Sequence, residues 1–276
     1  MKKILGIFCI AFMSVTMSFG QNRQLTIIHV NDTHSHLEPL RWGPQKGLGG
    51  VIERAAFRDS VVKADGRRNV LFLHAGDFSQ GTSYFTVLKG DVEIDMINAL
   101  KYDCITLGNH EFDNGVDELA RRLSKVKCPV VVANYDFSNL KLGKYVRPYT
   151  IVKKAGKKIG IVGLMPDIST LVSKEIAEQI HESDPAEAMN KWAAYLKDVK
   201  KCDLVIALTH IGYSMPEFDD QDLAKNTRNV DIIVGGHSHT FLKKPHYEKN
   251  LDGKVVPIVQ DGCWGLYFGE MKVTFK

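Results

Sequence analysis

Cysteine is scarce in this 276-residue chain: there are five, none in a C-x-x-C pair, which excludes zinc ribbons and thioredoxin-like redox motifs. Charge of one sign is lacking too. The 36 basic and 32 acidic residues leave a formal net charge of +4, and setting Lys2 and Lys3 aside with a leader lowers it to +2. That balance offers no basic surplus for a nucleic-acid polymer or an anionic lipid surface. Internal repeats, low-complexity tracts and Pro/Gly/Ser linkers are absent, and no G-x-S-x-G or Cys-His pattern supplies a covalent nucleophile. With 44% hydrophobic and 25% charged residues, the composition excludes a disordered tail and a multi-span membrane protein.

Long apolar runs are confined to the start. In MKKILGIFCIAFMSVTMSFG two lysines precede an apolar stretch from Ile4 to Phe12, followed by Ser14, Thr16, Ser18 and Gly20. This order predicts a secretory signal peptide over residues 1–20, released to leave a single domain over 21–276. The stretch is short for a bilayer span, and Ser14 and Thr16 interrupt it. Cys9 lies inside the apolar run rather than at its end, so a lipid-modified cysteine is not indicated. A periplasmic or secreted protein is expected, with no membrane span after leader removal. For Cys104, Cys128, Cys202 and Cys263, free thiols buried beside apolar runs are expected; one or two disulfides are the alternative in an oxidising compartment.

What is present is alternation. LTIIHV (25–30), NVLFLH (69–74), DCITL (103–107), PVVVAN (129–134), KIGIVGL (158–164), DLVIAL (203–208) and DIIVGG (231–236) read as strands, several apolar enough for burial on both faces. Segments 49–64, 87–101, 116–126 and 186–200 carry helical spacing, and the chain ends in strand again. The pattern predicts α/β layers with sheet buried between helices. Lys153-Lys154 and Lys157-Lys158 flank a hairpin turn and read as a solvated edge.

The polar residues stand at the strand ends. The first strand runs into Asn31-Asp32-Thr33-His34-Ser35-His36, the second into Gly76-Asp77, and the third into Gly108-Asn109-His110-Glu111-Phe112-Asp113. Later strands reach Thr209-His210 and Gly235-Gly236-His237-Ser238-His239. Each alone has a plainer reading: Asp32 or Asp77 caps a turn, and paired histidines decorate a loop. In open α/β sheets, however, the loops at the carboxyl ends of strands meet in one crevice. Seven candidates (Asp32, His34, Asp77, Asn109, His210, His237 and His239) then supply a mixed nitrogen and oxygen set suited to zinc, manganese or similar ions. Seven exceed one tetrahedral site, so two metals sharing a carboxylate are expected.

These five motifs, in this order, resemble those of the calcineurin-like metallophosphoesterases. The extended run from Gly108 to Gly115, with Asn31-Asp32-Thr33-His34 and Gly49-Gly50, resembles more narrowly the 5′-nucleotidase / UDP-sugar hydrolase / 2′,3′-cyclic phosphodiesterase family, over about residues 25–276. The resemblance implies a four-layer α/β/β/α sandwich and two divalent metal ions. Asp32, His34, Asp77 and His239 would hold one metal; Asp77, Asn109, His210 and His237 the other, with Asp77 bridging. His110 would bind no metal but contact the phosphate and stabilise transition-state charge, oriented by Asp113. The implied reaction is hydrolysis of a nucleotide phosphate ester by a metal-bound hydroxide, most simply on a nucleoside 5′-monophosphate. Cyclic-nucleotide or nucleotide-sugar cleavage and a non-catalytic metal- or partner-binding module are the alternatives. Full-length relatives carry a second, substrate-binding domain, and this chain resembles the catalytic half. Either a separate chain supplies the other half, or the substrate is smaller.

Of the remaining residues, His29 and His74 are expected in the core or behind the site, and His36 beside it. His181 and His246 are expected on the surface, Trp192 on a helix face packed against sheet, and Trp264 near the crevice. No tryptophan spacing suggests a base-stacking platform.

Overall fold

The computed structural model describes residues 23–275; the expected leader over 1–20 lies outside them. The strands are β1 (Arg23–Val30), β2 (Val70–Ala75), β3 (Cys104–Thr106), β4 (Val130–Val131), β5 (Val146–Arg147), β6 (Tyr149–Lys154) and β7 (Lys157–Leu164). They continue with β8 (Leu204–Thr209), β9 (Ile232–Val234), β10 (His246–Lys249), β11 (Val255–Val259) and β12 (Gly269–Phe275). Helices α1 (Val51–Asp65), α2 (Ser83–Leu88), α3 (Asp91–Leu100) and α4 (Val116–Leu123) fall in the first half. Helices α5 (Lys174–Ala177), α6 (Pro185–Ala194) and α7 (Asp220–Asn226) follow, α6 running on into a π-helical turn over Tyr195–Val199.

Two six-stranded sheets form, in the orders β12-β1-β2-β3-β4-β5 and β10-β11-β9-β8-β7-β6. Their centres are parallel; β12 joins β1, β6 joins β7 and β10 joins β11 antiparallel. The alternation of side chains along each strand sorts the apolar residues into layers. Leu25, Ile27, Leu71 and Leu73 face Ile159, Ile161, Ile206 and Leu208 between the sheets. Ile28, Val30 and Phe72 instead meet Ile94, Ile97 and Leu119 of α3 and α4. On the other side, Val162, Val205 and Ala207 meet Met189 and Leu223 of α6 and α7. Three apolar interfaces separate four layers, the α/β/β/α sandwich expected.

Three local expectations change. The run 87–101 is two helices, because Lys89 (φ 54°) and Gly90 (φ 94°) turn left-handed and end α2 before α3 begins. The run 129–134 contributes a ladder of only two residues. Beyond it the Val132 N–H donates to Arg147 and the Ala133 N–H crosses to Gly163 of the other sheet. Lys154 is not part of a solvated edge: it is buried, 2.9 Å from Asp103. The four cysteines among the described residues are free thiols, with Cys104 and Cys202 buried. No helix among the described residues is long and apolar enough to cross a membrane.

Candidate metal centre and catalytic pair

Both sheets run their parallel strands toward the same end, and the loops leaving β1, β2, β3, β8 and β9 converge there. The chain takes unusual backbone angles to do so. Asp32, His34, Asp77, His237 and His239 all have positive φ, between 44° and 79°. That region is sparsely used by residues other than glycine, and such strain gathers at functional sites. Two glycines make room for the cluster. A Cβ on Gly108 would lie 2.2 Å from Asp77 Oδ1, and one on Gly76 would lie 2.6 Å from His210 Nδ1. Backbone at these points passes directly against the site, which only glycine permits.

Hydrogen bonds divide the donor atoms into those already used and those left over. Asp32 Oδ2 accepts from Asn31 Nδ2 (2.6 Å) and the His237 N–H (2.9 Å). The Nδ1–H of His210 donates to the Ala75 carbonyl (2.6 Å), and that of His34 to the Ser79 carbonyl (3.3 Å). Both rings therefore aim Nε2 into the crevice, where a cation would take the place of a proton. Asp32 Oδ1, Asn109 Oδ1 and His210 Nε2 are buried with no hydrogen-bond partner. Orphaned polar atoms of this kind call for a ligand.

The donor atoms aimed into the crevice face one another in two groups, with His34 Nε2 and His239 Nε2 2.9 Å apart. Asp32, His34 and His239 bring one donor atom each within 4.8 Å of the others, and so do Asp77, His210 and His237. Asp32 Oδ1 lies 3.7 Å from His34 Nε2 and 3.4 Å from His239 Nε2. Asp77 Oδ2 lies 3.0 Å from His210 Nε2 and 3.9 Å from His34 Nε2, and so faces both groups. Ligand atoms bonded at about 2.0–2.2 Å to one ion stand roughly 3–4 Å apart, so the residues present fit a pair of cations. The electrostatics are those of crowded opposite charges. Burial works against the Asp32 carboxylate, yet His210, His239 and His34 hold it below the usual carboxylate range. Burial likewise opposes the His210 imidazolium, but Asp77 and Asp32 outweigh it and push its pKa up to about 10. His237, buried and beside His210, is lowered to about 4, which keeps it neutral and able to ligate.

His110 and Asp113 stand at the rim. Asp113 Oδ2 is 3.0 Å from His110 Nδ1, and the His110 backbone N–H donates to Asp77 Oδ1 (3.0 Å). The hydrogen bond to Asp113 and the charge of Asp77 raise the imidazole's pKa against partial burial. The ring stands edge-on to His34, centroids 5.4 Å apart. His29 and His74 are buried, and His36 stacks on Trp264, whose backbone N–H donates to the Asp32 carbonyl (2.6 Å). His181 is exposed, while His246 sits half-buried against Glu248, and Trp192 packs beside Tyr149.

Two residues escaped the reading of the motifs. Asn31 bridges Asp32 to the Gly262 carbonyl (2.7 Å) and accepts from the Asp261 N–H (2.8 Å). Glu111 is fully buried; its carboxylate accepts from the N–H groups of Asp77 (3.0 Å), Ser79 (3.0 Å) and Gly108 (2.6 Å). It ties the second and third loops together under the site. A charge next to His110 in the motif was the available signal. Because all three partners are donors, Glu111→Gln leaves one N–H facing an amide NH2. Loss of about 1–3 kcal/mol of stability is expected, the usual toll of an unsatisfied buried donor, together with weaker metal retention. Urea denaturation and metal analysis check it; a variant as stable and as metal-rich as the parent removes Glu111 from this role.

A two-sheet sandwich whose strand-end crevice gathers two carboxylates, four imidazoles and an amide oxygen has the make-up of a metal-dependent phosphoesterase. The chain belongs to the calcineurin-like phosphoesterase family, whose model matches residues 25–241. Human 5′-nucleotidase is 36% identical over 91% of this chain and 46% of its own length. Among solved structures, the 5′-nucleotidase precursor of Thermus thermophilus superposes with a TM-score of 0.83 at 37% identity, over 92% of this chain and 52% of the other. The NAD nucleotidase of Haemophilus influenzae does so with a TM-score of 0.79 at 30% identity, over 92% and 47%. The chain thus spans about half the length of the relatives it matches.

Proposed function

We propose that this protein is an exported hydrolase of nucleotide phosphate esters that uses two divalent cations, with nucleoside 5′-monophosphates as its first substrates. The observation that carries the reading is the pair of donor groups joined through Asp77, with the His110–Asp113 pair at their edge. Asp32, His34, Asp77 and His239 would hold one cation, and Asp77, Asn109, His210 and His237 the other. Zinc, manganese or a similar ion suits this mixed donor set. Bound there, such ions supply an activated water and offset phosphoryl charge. The chain's own residues do the remainder. Asp77 fixes the spacing of the two groups, Asn31 aims Asp32, and Glu111 holds the loops that carry Asp77 and His110. His110 presents its free Nε2 to the phosphoryl oxygens, its other nitrogen held by Asp113.

Export is part of this reading and rests on the leader-like residues 1–20. The likeness to a nucleotidase of NAD favours a second reading, cleavage within a nucleotide pyrophosphate. Phosphate release from nucleoside monophosphates, set against chromatography of the monoesters formed from cyclic nucleotides, nucleotide sugars and a dinucleotide pyrophosphate, separates the two. Dialysis against a chelator should abolish turnover, and zinc or manganese should restore it. Activity that survives complete metal removal sinks the proposal. Turnover by the purified chain alone would show that no companion chain is needed.

A further inference from the structure

Gln260 lies immediately beyond β11 and is fully buried. Parallel pairing of Ile258 with Ile233 and of Val259 with Val234 brings it alongside Gly235 and Gly236, where β9 ends. The loop leaving β9 curls round its side chain. Gln260 Oε1 accepts from the Thr240 N–H (2.6 Å) and the Ser238 hydroxyl (2.9 Å), and Nε2 donates to the Gly236 carbonyl (2.9 Å). Its backbone carbonyl takes the Leu242 N–H (3.1 Å). A peptide N–H only donates and a carbonyl only accepts, so the two ends of the amide cannot be exchanged. One side chain thus holds positions 236, 238 and 240, and the residues between them are His237 and His239.

Those two histidines need holding. Their φ angles, 79° and 54°, lie in the region sparsely used by residues other than glycine, and such a conformation persists only where its surroundings over-determine it. Between β9 and β10 the loop forms no helix or strand that could do so. The two rings also serve different groups. His239 Nε2 lies 3.4 Å from Asp32 Oδ1, whereas His237 falls with Asp77 and His210. Whatever fixes both histidines therefore fixes one donor of each group relative to the other. An apolar residue at 260 would leave the Thr240 N–H and the Gly236 carbonyl without their partner, and a glutamate would turn a carboxylate oxygen on that carbonyl.

We propose that Gln260 is a positioning residue of the metal centre, a bracket that holds the strained loop so that His237 and His239 each reach a different donor group. The inference rests on the two-cation reading above and adds to it a residue outside the donor set. Gln260 acts through the backbone on either side of each histidine and through the Ser238 hydroxyl between them.

The test is a zinc titration of the folded chain, with free zinc set by a chelator buffer and uptake read as zinc per chain. Gln260→Met keeps an unbranched chain of similar bulk and removes the three side-chain bonds. Uptake of both ions should move to about tenfold to a hundredfold higher free zinc, the usual cost of losing an outer partner of metal ligands. Ser238→Ala removes one of the three bonds and should move uptake about twofold to tenfold in the same direction, the scale of one hydrogen bond. Should Gln260→Met fail to fold, Ser238→Ala carries the test alone, and unmoved uptake in it overturns the proposal. In the double variant the shift should go little beyond that of Gln260→Met, because Ser238 acts through the amide that is gone. Thermal melting in chelator reports loss of fold separately. A merely structural residue would lower the melting temperature and leave uptake by the folded chain in place, a result that overturns the proposal. So does movement of one ion alone, since the bracket holds a histidine of each group. A parent chain that takes up no zinc would overturn the two-cation reading itself, a different failure from parent and variant titrating alike.

Discussion

Asp77→Asn should strip the protein of metal and lower its turnover by more than about a hundredfold, beyond the upper end of what loss of an outer partner of a metal ligand costs. The substitution is nearly isosteric and suits the backbone, since Asp77 has φ 50° and asparagine tolerates that left-handed region well. Main-chain bonds at this residue, from its N–H to Glu111 and from the His34 N–H to its carbonyl, are untouched. What changes is charge and the identity of one side-chain atom. Asp77 Oδ2 stands 3.0 Å from His210 Nε2 and 3.9 Å from His34 Nε2, so it is the carboxylate facing both donor groups. Removing its charge leaves Asp32 as the only carboxylate among the seven candidates to offset two dications. Thermal melting should hold near the parent's value in chelator, which separates loss of ligation from loss of fold. Two metals per chain and near-normal turnover in Asp77→Asn would end the shared-site assignment.

The expectations that held were those carried by residue type and strand-end position. A buried parallel strand announces itself as an apolar run, and a ligand-type residue just past it has nowhere to go but the crevice. The gathering of Asp32, Asp77, Asn109, His210 and His237 at one crevice was legible on that ground; that they hold metal is the reading proposed above. What could not be read was the division of labour between atoms of one side chain. That Asp32 spends Oδ2 on Asn31 and His237 and keeps Oδ1 free depends on loops more than two hundred residues apart meeting at known distances. Glu111 hid for the same reason, since its three donors come from two different loops. Lys154 looked like surface because its neighbours Lys153, Lys157 and Lys158 are lysines, and only the tertiary approach of Asp103 buries it. The break between α2 and α3 was visible in Lys89-Gly90-Asp91, a C-cap followed by an acidic first turn, but the helical spacing on either side masked it.

His110→Ala should keep both metals yet lose roughly a hundredfold to ten-thousandfold in kcat, the usual share of a positioned acid–base or charge-stabilising group. The ring touches no donor group through its own nitrogens: Nδ1 is taken by Asp113 at 3.0 Å, and only the backbone N–H reaches Asp77. Removing the side chain therefore leaves Asp77 aimed as before. Asp113→Asn should act in the same direction but more mildly. An amide can still accept from Nδ1–H, so the ring stays placed, while the negative charge that raises its pKa is gone. If the two residues act as a unit, the double variant costs little more than His110→Ala alone, since nothing is left for Asp113 to orient. Metal analysis with steady-state kinetics on all three variants decides between the assignments. Metal loss in His110→Ala would make His110 a ligand, and fully additive losses would mean that Asp113 acts without it.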